Sequence, residues 1–296
     1  MVFASATATQ NYFAGRTAIL ATMHQKQEVI APLLQGSLGL AVTVPDGFNT
    51  DQFGTFTRDI ARVGSQLDAA RAKAEAALAF LGQPGAETGS AMVADLAIAS
   101  EGSFAPHPLI PFVAANTELV LLVDRRHHLE IYGTHTTPKT NYAQQTITTW
   151  SEAAAFAQRA LFPSHGLVIQ AAGHIIKGIH SPQVLQETVT QLLSTSSTVQ
   201  LETDMRAMHN PTRMQAIAAA TEDLIQKLQS QCPQCHTPGF TITEHISGLI
   251  CGGCGRPTQF AQAALYTCHR CHHEAKIPYP DGQVMADPMY CDYCNP

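Results

Sequence analysis

All eight cysteines of this 296-residue chain lie between Cys232 and Cys294, as four Cys-x-x-Cys pairs: Cys232/Cys235, Cys251/Cys254, Cys268/Cys271 and Cys291/Cys294. No other feature constrains the fold as strongly. A Cys-x-x-Cys turn aims two thiolates at one point, and tetrahedral Zn2+ takes four such soft ligands. Two pairs close one site, so four pairs predict two structural Zn2+ ions with no position left for water. The alternative is a disulfide framework, which needs an oxidising compartment. The opening stretch, MVFASATATQNYFAGR, has no basic segment followed by an apolar one. It reads as a polar lead-in over residues 1–15, and the cytoplasm is the expected location.

Consecutive pairs enclose hairpin-sized stretches, TITEHISGLI and KIPYPDGQVMADPMY. This resembles tandem zinc ribbons, in which the first pair joins the second and the third joins the fourth. The interleaved order, first with third and second with fourth, stays open. Either way, residues 229–296 hold too little apolar material to fold without metal. From Cys232 onward, three Lys/Arg stand against five Asp/Glu, and the whole chain carries a net charge of −6. That balance argues against nucleic acid and favours contact with a protein.

The cysteine-free part is different in kind. With 45% apolar and only 14% charged residues, the chain is neither disordered nor a coiled coil. No apolar run is long enough for a membrane helix. Apolar stretches at 17–22, 38–44, 95–99, 118–123, 129–132, 166–170 and 198–201 read as strands. Between them, 25–34, 66–81, 151–161 and 184–193 read as helices, with a last helix opening at Asn210-Pro211. The alternation predicts an α/β domain over residues 16–228, a mixed sheet with flanking helices, followed by a C-terminal double zinc-ribbon module.

In open α/β sheets ligands bind beyond the strand ends, and three ends here are polar. Thr22, His24 and Lys26 lead into a helix and suit phosphate oxygens. Glu101, in Ser100-Glu101-Gly102-Ser103, offers a carboxylate for Mg2+ or Mn2+. Glu202, Asp204, Arg206 and Arg213 crowd between the last strand and helix, with Glu202 and Asp204 on one face if the strand continues. The arginines would clamp phosphate, or pair with the carboxylates as a structural network. Arg58, in the polar stretch 54–59, and the donor-rich stretch 134–142 are candidate lids. The fourteen histidines form no metal-type pair outside the tail, and no histidine triad is expected.

Two resemblances follow from these motifs. Residues 22–29, the helix containing Gln66-Leu67-Asp68-Ala69-Ala70-Arg71-Ala72-Lys73-Ala74, and residues 95–102 occur in the order seen in the inosine triphosphatase/Maf-like nucleotide pyrophosphatases. That resemblance implies a triphosphate held by the first loop, with Lys73 among its ligands, and Mg2+ on the acidic strand end. The chain departs from the pattern at His24, where an asparagine belongs, at Lys26, one place early, at Asp68-Ala69, and at the single acid Glu101. Nearly the whole chain also resembles an uncharacterised bacterial family known as a domain of unknown function. The marks are Phe13-Ala14-Gly15-Arg16, Asp51-Gln52-Phe53-Gly54-Thr55-Phe56-Thr57, Glu202-Thr203-Asp204-Met205-Arg206-Ala207 and Cys291-Asp292-Tyr293-Cys294-Asn295-Pro296. This second resemblance implies no activity.

The expected function is therefore a Mg2+- or Mn2+-dependent hydrolase of a nucleotide or another phosphorylated small molecule. Glu101, Glu202, Asp204, Arg206 and Arg213 are the candidate catalytic residues. Thr22, His24, Lys26, Arg58 and Lys73 are the candidate phosphate ligands. The alternative is a non-catalytic adaptor that senses a small anion and meets a protein partner through the zinc ribbons.

Overall fold

A computed structural model describes residues 12–54, 64–80, 95–107, 110–171 and 173–296. Arg58, and with it most of the polar stretch around it, lies outside the described residues. The chain forms two compact units, Ala14–Ile225 and one containing Gln226–Pro296.

The first unit holds β1 (Thr17–Ala21), α1 (Gln27–Leu38), β2 (Ala41–Thr43), α2 (Gln66–Phe80), β3 (Leu96–Pro106), β4 (Ala114–Asp124) and β5 (Leu129–Thr137). After these come β6 (Gln144–Ile147), α3 (Trp150–Arg159), β7 (Leu167–Ala171), β8 (His174–Ile179), α4 (Pro182–Thr195), β9 (Val199–Thr203) and α5 (Pro211–Gln229), whose last turn passes into the second unit. A mixed sheet runs β2-β1-β3-β4-β5. Its β1 is parallel to both β2 and β3, and the rest is antiparallel. A second sheet, β6-β9-β7-β8, is wholly antiparallel.

Period-2 alternation divides the first sheet's residues between its faces. Ile19, Ala21, Ala97, Ala99, Leu119, Leu121 and Val123 face α2, which buries Ala70, Ala74, Ala77 and Leu78 against them. Small residues on α2 let the helix sit close to the sheet. The other face meets α5, where Arg213 reaches Glu118 and Asp223 accepts from the Thr134 amide. In the second sheet, Leu167, Ile169, Val199 and Leu201 pack under Phe156 of α3 and Leu185 and Val189 of α4. Thr149 and Glu152 close the start of α3 as a reciprocal capping box. At the far end of the first sheet, Arg16 binds Asp95 and Asp124 and ties β1, β3 and β4 together.

The structure corrects several boundaries. The strand expected to stop at Ala99 runs on to Pro106, because β4 pairs with it along its whole length. Glu101 is therefore inside a strand and not at its end. The hairpin strands are longer than 118–123 and 129–132, so Thr134 to Thr137 belong to β5 and not to a lid. The first helix continues through Pro32 to a left-handed cap at Gly39. Strands β6 and β8 were not expected at all. At the start of α5 the reading holds: Asn210 Oδ1 accepts from the Arg213 amide at 2.9 Å, with Pro211 in the first turn.

The second unit is a meander of β10 (Thr241–Ser247), β11 (Ala261–Thr267) and β12 (Glu274–Pro278), antiparallel throughout. Cys232/Cys235 precede β10, Cys251/Cys254 lie between β10 and β11, Cys268/Cys271 between β11 and β12, and Cys291/Cys294 follow β12. Each strand carries the chain to the opposite end of the sheet. Consecutive pairs therefore sit at opposite ends, and alternate pairs meet. The first pair joins the third and the second joins the fourth. The tandem order is thus overturned, for a topological reason. Each stretch between consecutive pairs holds one strand rather than a hairpin, and the two ribbons overlap by sharing β11.

Candidate functional site: a four-thiolate pair and a buried charge cluster

The four cysteine turns are built alike. In each, an amide four residues on bonds back to the first cysteine's carbonyl: His236 to Cys232, Gly255 to Cys251, His272 to Cys268 and Asn295 to Cys291. His236, Gly255 and His272 take left-handed backbone to close that turn. Cys232, Cys235, Cys268 and Cys271 form one group, and Cys251, Cys254, Cys291 and Cys294 the other, with ligand atoms within 4.8 Å of one another. Sulfurs from different pairs approach to 3.6 Å in the first group and to 3.7 and 3.8 Å in the second. A disulfide would bring them to about 2.05 Å. Four sulfurs each about 2.3 Å from a central ion stand about 3.8 Å apart, so both groups can hold a metal ion.

Their electrostatics agree. The amides of Cys254 and Gly253 draw Cys251 down to about 7. Cys294 is pushed up to about 12 by the neighbouring sulfurs, Cys254 first. Four thiols this close do not all ionise unless a cation sits among them. Within the first group, Phe240 and Tyr266 pack against the cysteines and supply what core there is.

In the α/β unit, buried charged residues gather around β3 and β4 on both faces of the first sheet. Lys26 is buried, and its ammonium donates to the Ser100 carbonyl at 2.9 Å and lies 3.3 Å from the Ser100 hydroxyl. Lys73, two turns into α2, pairs with Glu101. Arg213 at the start of α5 pairs with Glu118 of β4 at 2.7 Å, both sealed from solvent. Gly102 is required here: a Cβ would lie 2.6 Å from Glu118 Oε1 and collide with the Arg213 guanidinium. Asp204 is clamped by Arg206 at 2.7 Å and also accepts from the Gly178 amide at 3.0 Å. Burial raises the Asp204 carboxyl, but the bonds from Arg206 outweigh it and hold it below the usual range.

His24 reports the field of this cluster. Burial first, then Lys26, Arg213, Arg206 and Lys73, lower it to about 3, even though Asp51 lies 3.6 Å from its Nε2. Lys26 falls to about 7, through burial first, then Arg213 and Lys73, against the pull of Glu118 and Glu101. Asn116, two residues before Glu118 on the same face of β4, has a buried Oδ1 with no partner among the described residues.

Of the sequence candidates, Lys73 and Glu101 pair on the α2 face of the first sheet, Arg213 pairs with Glu118 on the opposite face, Lys26 bonds to Ser100, and Arg206 holds Asp204; His24 lies in the field of Lys26, Arg213, Arg206 and Lys73. Thr22 is buried, its hydroxyl accepting from the His24 amide at 3.3 Å. Glu202 does not join. β9 ends at Thr203, Glu202 faces across to Gln144 and Val168, and Asp204 turns away toward Arg206. Sequence reasoning missed Glu118 and Asn116, and also His180 and His209, whose rings meet at 2.9 Å beside Asp204 and Arg206. Only Gly102, a glycine inside the strand, offered a signal that a bulky group crosses there.

A family model described as Domain of unknown function (DUF6671) matches residues 87–296, and the chain belongs to that family. No curated protein and no solved structure matches the chain. Among the described residues, no helix is long and apolar enough to cross a membrane.

Proposed function

We propose that the α/β unit binds a nucleotide or another phosphorylated small molecule at the buried cluster and hydrolyses it in a metal-dependent, pyrophosphatase-like reaction. The observation that supports this is the buried, unpaired ammonium of Lys26 beside His24, in a field to which Arg213, Arg206 and Lys73 also contribute. A site this rich in cations, with an unpartnered acceptor at Asn116, is built for an anion that also offers donors. Lys26 and Lys73 would bind phosphate, and Arg206 and Arg213 would neutralise developing charge. Once Lys73 turns to phosphate, Glu101 is left to accept a Mg2+ or Mn2+ that enters with the substrate. The cysteine unit holds two structural Zn2+ ions, and eight unpaired thiols suit a reducing compartment such as the cytoplasm.

One observation favours a second reading, a ligand-sensing adaptor. Glu101, Glu118 and Asp204 are each paired with a cation, so none of these three carboxylates is free as a base. Val284, Met285, Met289, Tyr290 and Tyr293 are exposed around the second cysteine group and would meet the protein partner.

The test is a turnover screen of zinc-loaded protein with Mg2+ or Mn2+ and a panel of standard and damaged nucleoside triphosphates and sugar phosphates. Pyrophosphate and phosphate release are read separately. Turnover by the wild type that Glu101→Gln abolishes, with binding kept, supports the hydrolase. Silence across the panel in folded protein replaces it with the adaptor.

A further inference from the structure

We infer that the surface around Cys251, Cys254, Cys291 and Cys294 docks an arginine-bearing apolar segment of a partner protein. It rests on the part of the adaptor reading that gives these residues a protein partner, and adds the partner's chemistry. Hydrolysis by the α/β unit neither requires nor excludes it. The two cysteine groups share their turns but treat their apolar residues differently. Around the first, Phe240 and Tyr266 pack against the cysteines, and Phe240 is sealed. Around the second, Val284, Met285, Met289, Tyr290 and Tyr293 are each more than half exposed. Of the described residues from Asp281 to Pro296, only Ala286 and Cys291 are buried. The first group shows that such a site can close over its own aromatic residues, so the display at the second is not a requirement of the fold.

The exposed side chains are fixed to the cysteine turns and to one another. The Ala286 amide donates to the Ile250 carbonyl at 2.9 Å, and the Gly252 amide donates to the Ala286 carbonyl at 3.0 Å. That sets Met285 against Gly252, where a Cβ would meet the Met285 Cβ at 3.7 Å. Tyr290 meets Phe260 edge to face with ring centroids 5.6 Å apart. The Asn295 side-chain amide donates to the Met289 carbonyl at 2.9 Å. The Arg256 guanidinium lies 3.7 Å from the centre of the Tyr293 ring. This surface therefore already holds one arginine against the face of a tyrosine, and Tyr290 offers a second exposed ring.

Charge selects the occupant. Asp281, Asp287 and Asp292 are exposed among these residues, and no Lys or Arg occurs from Ile277 to Pro296. Asp287 spends one carboxylate oxygen on the Met289 amide at 2.8 Å, which leaves the other to a partner. A guanidinium on Tyr290 can pair with these carboxylates, while Met285 and Met289 adapt to the apolar side chains beside it. The same carboxylates repel the phosphates of nucleic acid and of anionic lipid. A two-fold contact between copies would set aspartates against aspartates, and the rest of this chain is itself net negative. A cationic, partly apolar segment of another protein meets each requirement.

The experiment pans random peptides displayed on phage against the zinc-loaded full-length protein, then titrates selected peptides while methionine methyl groups are followed by NMR. Selected sequences should be enriched in arginine beside aromatic or aliphatic residues, and should shift the Met285 and Met289 methyls. Tyr290→Leu should weaken a selected peptide about 10–30-fold. Asp281→Asn/Asp292→Asn should weaken it about threefold to tenfold and flatten its salt dependence. Both variants should keep two metal ions per chain, which separates lost docking from lost folding. Arginine peptides selected by a protein that also turns over substrate remove the non-catalytic part of the adaptor reading and support the inference. Acidic or uncharged peptides selected at the same methionines overturn the inference and leave a protein-binding surface in place. Absence of any selected peptide that shifts these methyls overturns both, whether they respond instead to self-association, anionic vesicles, single-stranded DNA or nothing.

Discussion

The cysteine unit and the buried charge cluster each gather titratable side chains closer than their charges would tolerate alone, and each is one counter-ion short, with opposite sign. Around the cysteines the groups are all alike. Four thiolates repel, and only an added cation completes them. In the cluster most charges cancel internally: Lys73 with Glu101, Arg213 with Glu118 and Arg206 with Asp204. Lys26 is the remainder, bonded to Ser100 and not to a carboxylate. On the proposed reading, a metal completes the first arrangement and an anion the second. A protein leaves buried charge uncompensated at a cost in stability, so the surplus marks where a ligand is expected.

Metal removal should break the comparison most visibly. Structural zinc contributes about 10–16 kcal/mol in small peptides at pH 7, so chelation should unfold the cysteine unit. Hydrogen exchange should then show β10–β12 losing protection while β3 and β4 keep theirs. The pairing order is sharpened by double variants and metal counting. Cys232→Ser/Cys268→Ser should lose one ion per chain, and Cys232→Ser/Cys251→Ser should lose both. The tandem order requires the reverse.

Within the cluster, Glu118→Gln leaves the sealed Arg213 guanidinium without its countercharge. Denaturant unfolding should show a loss of about 3–5 kcal/mol, and the purely structural reading of Arg213 and Glu118 fails if bound pyrophosphate restores most of it. A smaller effect is expected from Asn210→Ala, which removes the cap on the Arg213 amide and the bond to Asn141. It should cost about 1–2 kcal/mol and loosen the segment that carries Arg206, His209 and Arg213.

The two regions also differ in how far the sequence discloses them. Cysteines three apart, repeated four times, announce their chemistry by local spacing alone. Their partnership was misread because TITEHISGLI holds one strand, and only the count of strands between pairs decides which ends meet. In the α/β unit, Lys26 and Arg213 were visible as candidates because each stands near a strand or helix end, whereas Lys73, in the middle of its helix, was singled out only by the pyrophosphatase resemblance. Glu118 was invisible: on an edge between polar and apolar residues it reads as an ordinary strand start, and its partner lies 95 positions away. Glu101 was found, but for a mistaken reason, since the polarity of Ser100-Glu101-Gly102 reflects buried pairing and not a strand end. His180 and His209, 29 positions apart, come together only through the second sheet.

The most direct test of the anion-site claim is calorimetric titration of the zinc-loaded protein with inorganic pyrophosphate, in buffers of different ionisation enthalpy, at pH values on both sides of 7. Lys26 has its folded pKa at about 7 against the ordinary 10.5, so burying it costs stability that returns as the pH rises from about 7 to 10.5. A bound anion raises that pKa again. Binding should therefore take up a proton above pH 7 and weaken by up to about tenfold per pH unit there. Lys26→Met should abolish the binding and stabilise the free protein by about 1–3 kcal/mol. Absence of binding at low ionic strength, or binding indifferent to both pH and Lys26→Met, would contradict the claim.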